Sequence, residues 1–545
     1  MWIALGACSG GGPQRVGAQP SWRHGEGPQA VAPPAPVTFT PTGPAATFYN
    51  EAPRQAPSTP LNDAVIAAVR EAAITAGLHV PVPDLRLFQA CADLAEVAPE
   101  TSLLRYKLVE FALQHHGIAE PSPRLLVVWG DIDSPQVIVD QLRPLLAGLL
   151  ADGATARLGI GAAKRKRDGT GAVVFALQGS GVSTLPIPRV LAAGASATID
   201  AVIDPRYREP ELFVTDEEGD TRRLTVAPGR PGGVVAELAC GRHRGRQQVE
   251  ISASDDAGSA VLANFPVWCA AAPPRSVTSD PEHDDVVVAT TTQAERRLLA
   301  NVNRDRLAAN RPALAWDERL AEVARRHSDE MWRTHVVAHI SKTTGSAGDR
   351  VTAAKIHTAL VLENVARAYG VDEAHDGLMN SPGHRMNLMS RQATNVGIGV
   401  VFGDEVSGHR EMFVTQVFTR VPPKIDPGNA ATLVRGKLTA FRPTLIWKPV
   451  LGTLAQRLAA ALAAGHTREE AHAMIKGQVD DLGKTYARVG SVIIATADAD
   501  ALEGNSLVGD AKADDFGIGI AQGLHPDIGD NAIWVVVLLA SRRGG

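Results

Sequence analysis

The triplet Gly-Ile-Gly occurs three times in this chain, and each time it sits in the same setting. The stretches are ARLGIGAAKRKRDGTGAVVFAL, NVGIGVVFGDEVSGHREMFVTQVF and DFGIGIAQGLHPDIGDNAIWVVVLL. An apolar run, a polar turn and a second apolar run predict an antiparallel hairpin. Upstream of each lies a segment with apolar residues at helical spacing, at 84–97, 315–331 and 448–462. The glycine pairs start at 159, 397 and 517, so the last two are 120 residues apart and the first two 238. The longer interval fits one unit plus an inserted domain. The insert reads from residues 180–275, where ATIDAVID, ELFVTD, RRLTVA and QQVEISASD alternate with Gly, Pro and Asp. Short strands at that spacing predict an Ig-like β-sandwich. The Pro- and Asp-rich RSVTSDPEHDD, 275–285, reads as a linker.

The expected plan is therefore multidomain. It runs as a lipoprotein signal remnant at 1–8, a disordered tether at 9–60, an α+β unit at 61–179 and a β-sandwich at 180–275. A second unit follows at 286–425 and a third at 426–545. The 545 residues, 45% hydrophobic and 21% charged, suit several soluble globular domains. A net charge of -5 disfavours nucleic acid as a partner. The basic run Lys164–Arg167 precedes Asp168-Gly169 and reads as a solvated hairpin turn.

The N-terminus, Met-Trp-Ile-Ala-Leu-Gly-Ala-Cys, has the tail of a bacterial lipoprotein signal, with Cys8 as the lipidated residue. A charged n-region and most of the apolar run are missing, which an upstream start would supply. The Gly-, Pro- and Ala-rich sequence after Cys8 suits a tether between a lipid anchor and folded domains. In an exported protein Cys240 and Cys269, flanking a strand-rich segment, are expected to pair. Cys91 lies in an apolar helical pattern and reads as a small core residue.

Only the second unit carries a polar constellation. His335 and His339 in MWRTHVVAHIS are spaced one helical turn apart, but Val336 stands where a zincin needs Glu. His339 is expected at the helix end. Glu363 is embedded in TALVLENVARAYG, and a carboxylate in so apolar a run needs a partner to be buried. Ser381-Pro382-Gly383-His384-Arg385 reads as a helix N-cap and first turn, with Arg385 a structural clamp. His115 and His116 in the first unit read as exposed, and His466, His472 and His525 in the third have no such context.

Residues 290–420 resemble the CAP superfamily, the SCP-like domains of cysteine-rich secretory, antigen 5 and pathogenesis-related proteins. NVNRDRLAANRPALAWDERLAEVARRHSDEM resembles its opening helices, HIS its first histidine, ENVA its Glu-Asn motif, SPGHRMNLM its bacterial His-Arg segment, and FVTQVF its closing strand. The resemblance implies an α-β-α sandwich with a cleft of two His and two acidic residues. His339 and Glu363 match cleft positions, and His384 matches the bacterial form of the motif. Two departures stand out: Phe413 replaces the last histidine, and Ser381 stands at the second Glu position. The three matching residues either hold a metal such as zinc or form a hydrogen-bonded network. The first and third units lack the Glu-Asn and His-Arg segments and read as degenerate CAP-like copies. Two functions stay open: an envelope module binding a lipid, glycan or protein, and a hydrolase using the His/Glu cleft, with or without a metal.

Overall fold

Three four-stranded sheets in this chain are wired identically. The structure is a computed structural model describing residues 36–51, 56–99, 104–150, 155–165, 170–241, 244–279, 288–406, 409–508 and 512–543. In the first unit the spatial order is Val82–Pro83, Thr155–Lys164, Thr170–Gly179, Arg124–Asp131. In the second it is Ala315–Trp316, Asn395–Val406, His409–Thr419, Val361–Ala368. In the third it is Ile446–Trp447, Asp515–His525, Gly529–Arg542, Tyr486–Thr496. Each time the short first strand pairs parallel to the long third, and the other two pairings are antiparallel.

The Gly-Ile-Gly pairs explain why the plan recurs. A methyl placed on Gly397 or Gly399 would lie 2.1 Å from the backbone nitrogen of Ala321 or Arg325, in the helix Glu318–Thr334. On Gly161 it would lie 2.0 Å from Ala92, and on Gly517 2.1 Å from Gly452. Those residues belong to the helices Leu85–Val97 and Pro449–Ala463. In every unit the glycines let a helix lie directly on the hairpin, which no Cβ would permit. Asp84 and Asp317 cap the first two of these helices through their side chains, whereas Lys448 at the third makes no side-chain cap.

The second unit's sheet is covered on both faces. Alternate residues of His409–Thr419 serve the two sides. Val417 joins Leu320, Val323 and Ala324 of the helix Glu318–Thr334. Met412, Val414 and Phe418 join Leu298 of Thr291–Ala308 and Leu378 of Val371–Asn380. The second of these clusters continues into the first unit through Leu94 and Val109.

Residues 182–269 form a four-stranded and a five-stranded sheet around one core that includes Ile199, Leu238, Ile251 and Phe265. A disulfide joins Cys240, just after the strand Gly233–Ala239 of the smaller sheet, to Cys269, at the end of Gly258–Cys269 in the larger one. Cys91 is a buried free thiol.

The expected tether does not run to residue 60. Val37–Phe39 pairs with Val277–Ser279, inside the expected linker, and Phe48–Tyr49 pairs with Ile187–Pro188. The aromatics are the reason: Phe39 and Tyr49 are fully buried, and the Tyr49 hydroxyl donates to the Pro266 carbonyl at 2.8 Å. Cys8 and residues 9–35 lie outside the described residues. Among the described residues no helix is long and apolar enough to cross a membrane.

Candidate functional site

The strand Val361–Ala368 is the edge of its sheet, and it places Glu363 beside a loop and two short helices. Glu363 is buried, and both of its oxygens are occupied. His339 Nδ1 donates to Oε1 at 2.8 Å and Arg350 Nη2 donates to Oε2 at 2.5 Å. Burial alone would push this carboxyl up. The His339 hydrogen bond and the charges of His339 and Arg350 outweigh it and hold the group below its ordinary value.

Arg350 sits in the helix Ala347–Ala353, which starts with a reciprocal Ser346–Asp349 capping box. Its guanidinium also donates to the carbonyls of Gly345, at 2.6 Å, and His339, at 3.2 Å. One side chain thus closes the loop that carries His339. His327, on the helix Glu318–Thr334, supports the same loop: its Nε2 donates to the Ala338 carbonyl at 2.7 Å, and burial pushes its pKa down.

The loop corrects two sequence expectations. The helix ends at Thr334, and His335 caps it in the left-handed region with φ of 54°. His335 and His339 therefore do not share a helical face, and His339 lies beyond the helix end. The left-handed residue reverses the chain where the periodic pattern would have continued it.

His384 lies on the helix Pro382–Leu388 and is completely buried. Its Nδ1 meets the Ser381 hydroxyl at 2.7 Å. Burial, and then the charge of His339, push its pKa well below the ordinary value. His384 is thus within electrostatic reach of His339 without bonding to Glu363. Asn364 links the strand to this helix, donating to the His384 carbonyl at 3.3 Å, and Asn387 donates to the Glu363 carbonyl at 3.0 Å.

Ser381 occupies the N-cap position but makes no side-chain cap. Its hydroxyl instead donates to Glu250 Oε2, from the strand Gly245–Asp255 of the β-sandwich, and Gly383 N–H donates to Glu250 Oε1 at 3.2 Å. Burial pushes the Glu250 carboxyl up to about 7; the Ser381 and Gly383 hydrogen bonds oppose that shift, and Glu211 on the neighbouring strand adds to it.

The sandwich touches the site elsewhere too. The Ala257 carbonyl, at the turn after that strand, accepts from His339 N at 3.0 Å and Ile340 N at 2.9 Å. Arg385 is a clamp between domains, donating to the Gly219 carbonyl at 3.0 Å. The guanidinium that faces Glu363 is that of Arg350.

A metal such as zinc does not fit the three expected residues. Among the described residues no group of three or more His, Cys, Asp or Glu is gathered to hold an ion. Glu363 spends one oxygen on a guanidinium, whose charge opposes a cation there, and the other on His339. The arrangement instead offers two ring nitrogens. Nε2 of His339 and Nε2 of His384 are both buried and have no hydrogen-bond partner among the described residues. Such atoms are placed to meet a ligand group or a water.

Among the described residues, histidines of the other units stand in other settings. His116 is buried rather than exposed, its Nε2 2.6 Å from Asp93, and His115 is buried beside it. The aspartate on the unit's own helix compensates the imidazole. In the third unit His472 is exposed and contacts Ser491 at 3.0 Å.

Sequence reasoning named His339, Glu363, His384 and Arg385 and missed His327, Arg350 and Glu250. A sequence signal existed only for Arg350: Ser346 followed three residues later by Asp349 marks the start of a helix that carries Arg350, thirteen residues before the carboxylate.

Residues 299–418 match the family model for CAP, the cysteine-rich secretory protein family. The uncharacterized membrane protein YlbC of Bacillus subtilis is 36% identical over 111 residues, which are 20% of this chain and 32% of that protein. The uncharacterized protein YkwD of the same organism is 31% identical over 108 residues, 20% of this chain and 42% of that protein. The chain thus spans about a third to two fifths of the curated relatives it matches. Among solved structures, an extracellular protein containing a SCP domain from Bacillus anthracis is similar at 25% identity. It covers 33% of this chain and 60% of that one, with a TM-score of 0.22. An outer surface protein of Borrelia burgdorferi is similar at 19% identity, covering 24% and 96%, with a TM-score of 0.21.

Proposed function

We propose that this chain, which carries a CAP domain over residues 299–418, is an exported cell-envelope lipoprotein whose CAP cleft binds a lipid, glycan or protein ligand. The observation that carries the binding reading is the state of Glu363. A carboxylate with both oxygens occupied, one by an arginine, is poorly placed to take a proton from water or to attack a substrate. The hydroxyl that meets His384, that of Ser381, is buried and also engaged by Glu250. What stays free is a pair of ring nitrogens, which is recognition chemistry.

The first and third units are read as degenerate CAP copies. Their support is the shared strand order and the glycine pair under the helix. With the Ig-like sandwich they add surface to the chain. Export is supported by the disulfide, and lipidation at Cys8 by the sequence alone.

The alternative is a hydrolase using the same cleft. The test incubates the full chain with phosphatidylglycerol vesicles and with peptidoglycan sacculi, and follows both retention and released product. Saturable retention by one of them, weakened in His339→Ala, without product supports binding. Product formation that disappears in His339→Ala would replace this reading with the hydrolase. Neither retention nor product would overturn both ligand classes for the cleft.

A further inference from the structure

The hydrogen-bond chain that enters the CAP domain from the β-sandwich has a direction, and the direction matters for the cleft. Glu250, Ser381 and His384 are each fully buried. Glu250 Oε2 meets the Ser381 hydroxyl, and that hydroxyl meets His384 Nδ1 at 2.7 Å. The far ring nitrogen, Nε2, has no partner among the described residues. The other carboxylate oxygen, Oε1, accepts from Gly383 N–H at 3.2 Å. A backbone N–H can only donate, so Oε1 is held as an acceptor and Oε2 alone is free to change role.

We propose that Glu250 is a positioning residue for the CAP cleft, setting through Ser381 which ring nitrogen of His384 carries the hydrogen. When Glu250 is ionised, Oε2 accepts from the Ser381 hydroxyl. The oxygen of that hydroxyl then accepts from His384 Nδ1–H, and Nε2 presents a lone pair. When Glu250 is protonated, the hydrogen sits on Oε2 and is donated to Ser381. Ser381 donates to Nδ1, and Nε2 carries the hydrogen.

The two states interconvert with a balanced count of protons. A proton taken up at Nε2 releases the one on Nδ1 to the serine oxygen, and the serine hydrogen passes to Oε2. No bond between heavy atoms changes. One proton enters from the cleft and one is stored on Glu250.

Burial raises the Glu250 carboxyl to about 7, so both states are accessible near neutrality. Among the described residues two charged groups act on this chain: Glu211 disfavours the ionised carboxylate, and His339 disfavours a charged His384. His339 already donates from Nδ1 to Glu363, so whenever that ring is neutral its Nε2 presents a lone pair. The cleft thus offers two acceptors in one state, suited to a ligand hydroxyl or ammonium. In the other it offers one donor and one acceptor, suited to a carbonyl or phosphate oxygen. This goes beyond the binding reading and does not depend on it.

The test is the tautomer of His384 in the full chain labelled with 15N-histidine, assigned by its loss in His384→Gln. Glu250→Gln is the decisive variant. Gly383 N–H keeps the amide oxygen on its side, so the amide nitrogen must donate to Ser381. At pH 8.5 the wild type should show hydrogen on Nδ1 and Glu250→Gln hydrogen on Nε2. On a Ser381→Ala background the same substitution should leave the tautomer unchanged. The same tautomer in wild type and Glu250→Gln overturns the proposal. If Glu250→Gln does not fold, wild type between pH 5.5 and 8.5 decides. A switch from Nε2–H to Nδ1–H upholds the proposal, and one tautomer throughout overturns it.

Discussion

Arg350 donates to Glu363 at 2.5 Å, and both side chains are at most 5% exposed. An ion pair so enclosed is a liability if only one member is lost, because the other is left charged and unsolvated. Arg350→Met should therefore destabilise the chain by about 3–5 kcal/mol. Adding Glu363→Leu should recover part of that loss. Urea midpoints of the two variants check this, with the double variant expected to be the more stable.

The same carboxylate sets a low-pH limit. Its folded pKa lies below its ordinary value of 4.5. The stability it contributes is complete above that value and is lost as pH falls through the folded one. Thermal unfolding of wild type between pH 3 and 6 should fall toward acid more steeply than that of Glu363→Gln. Parallel curves would count against the paired, ionised state.

Glu250 should act with the opposite sign. Its folded value is about 7, above its ordinary value of 4.5. Its contribution is present below 4.5 and is lost as pH rises to about 7. His384, held below its ordinary 6.5, contributes stability above 6.5 that is lost as pH falls. Glu250→Gln removes only the first effect. The stability of this variant relative to wild type should therefore rise between pH 5 and 8, read by denaturant titration at each pH.

The glycine pairs give a test of the fold. Gly399→Ala places a methyl 2.1 Å from the Arg325 nitrogen and should cost about 1–3 kcal/mol or more. Gly436 lies inside the helix Pro427–Phe441 with nothing within 4 Å of an added methyl, so Gly436→Ala should stabilise by about 0.5–1 kcal/mol. Thermal midpoints that rank the two variants the other way would contradict the close helix–hairpin approach.

The recurring helix-on-hairpin arrangement was legible because backbone contact between helix and hairpin demands glycine, and a demand of that kind leaves a mark in sequence. Glu363 was legible for a similar reason: a lone carboxylate in an apolar run advertises a missing partner. Its histidine partner came from family resemblance. Its arginine partner was missed because guanidinium groups are common and the choice between Arg350 and Arg385 is made by loop geometry. Glu250 left no local signal, since its partner Ser381 lies 131 residues along the chain in another domain. The left-handed turn at His335 was hidden because the helical spacing of apolar residues continues past the point where the helix stops. Phe39 and Tyr49 were lost in a Pro-rich segment whose average composition outweighed its two buried rings.

If His339 and Glu363 form one hydrogen-bonded network in the cleft rather than two independent groups, their contributions to stability are coupled. A double-mutant cycle on the full chain, with His339→Ala, Glu363→Gln and their combination, measures this by urea denaturation at pH 7.5. Contact through a hydrogen bond at 2.8 Å predicts a coupling of about 0.5–3 kcal/mol. Additive effects, with no coupling, would contradict the network.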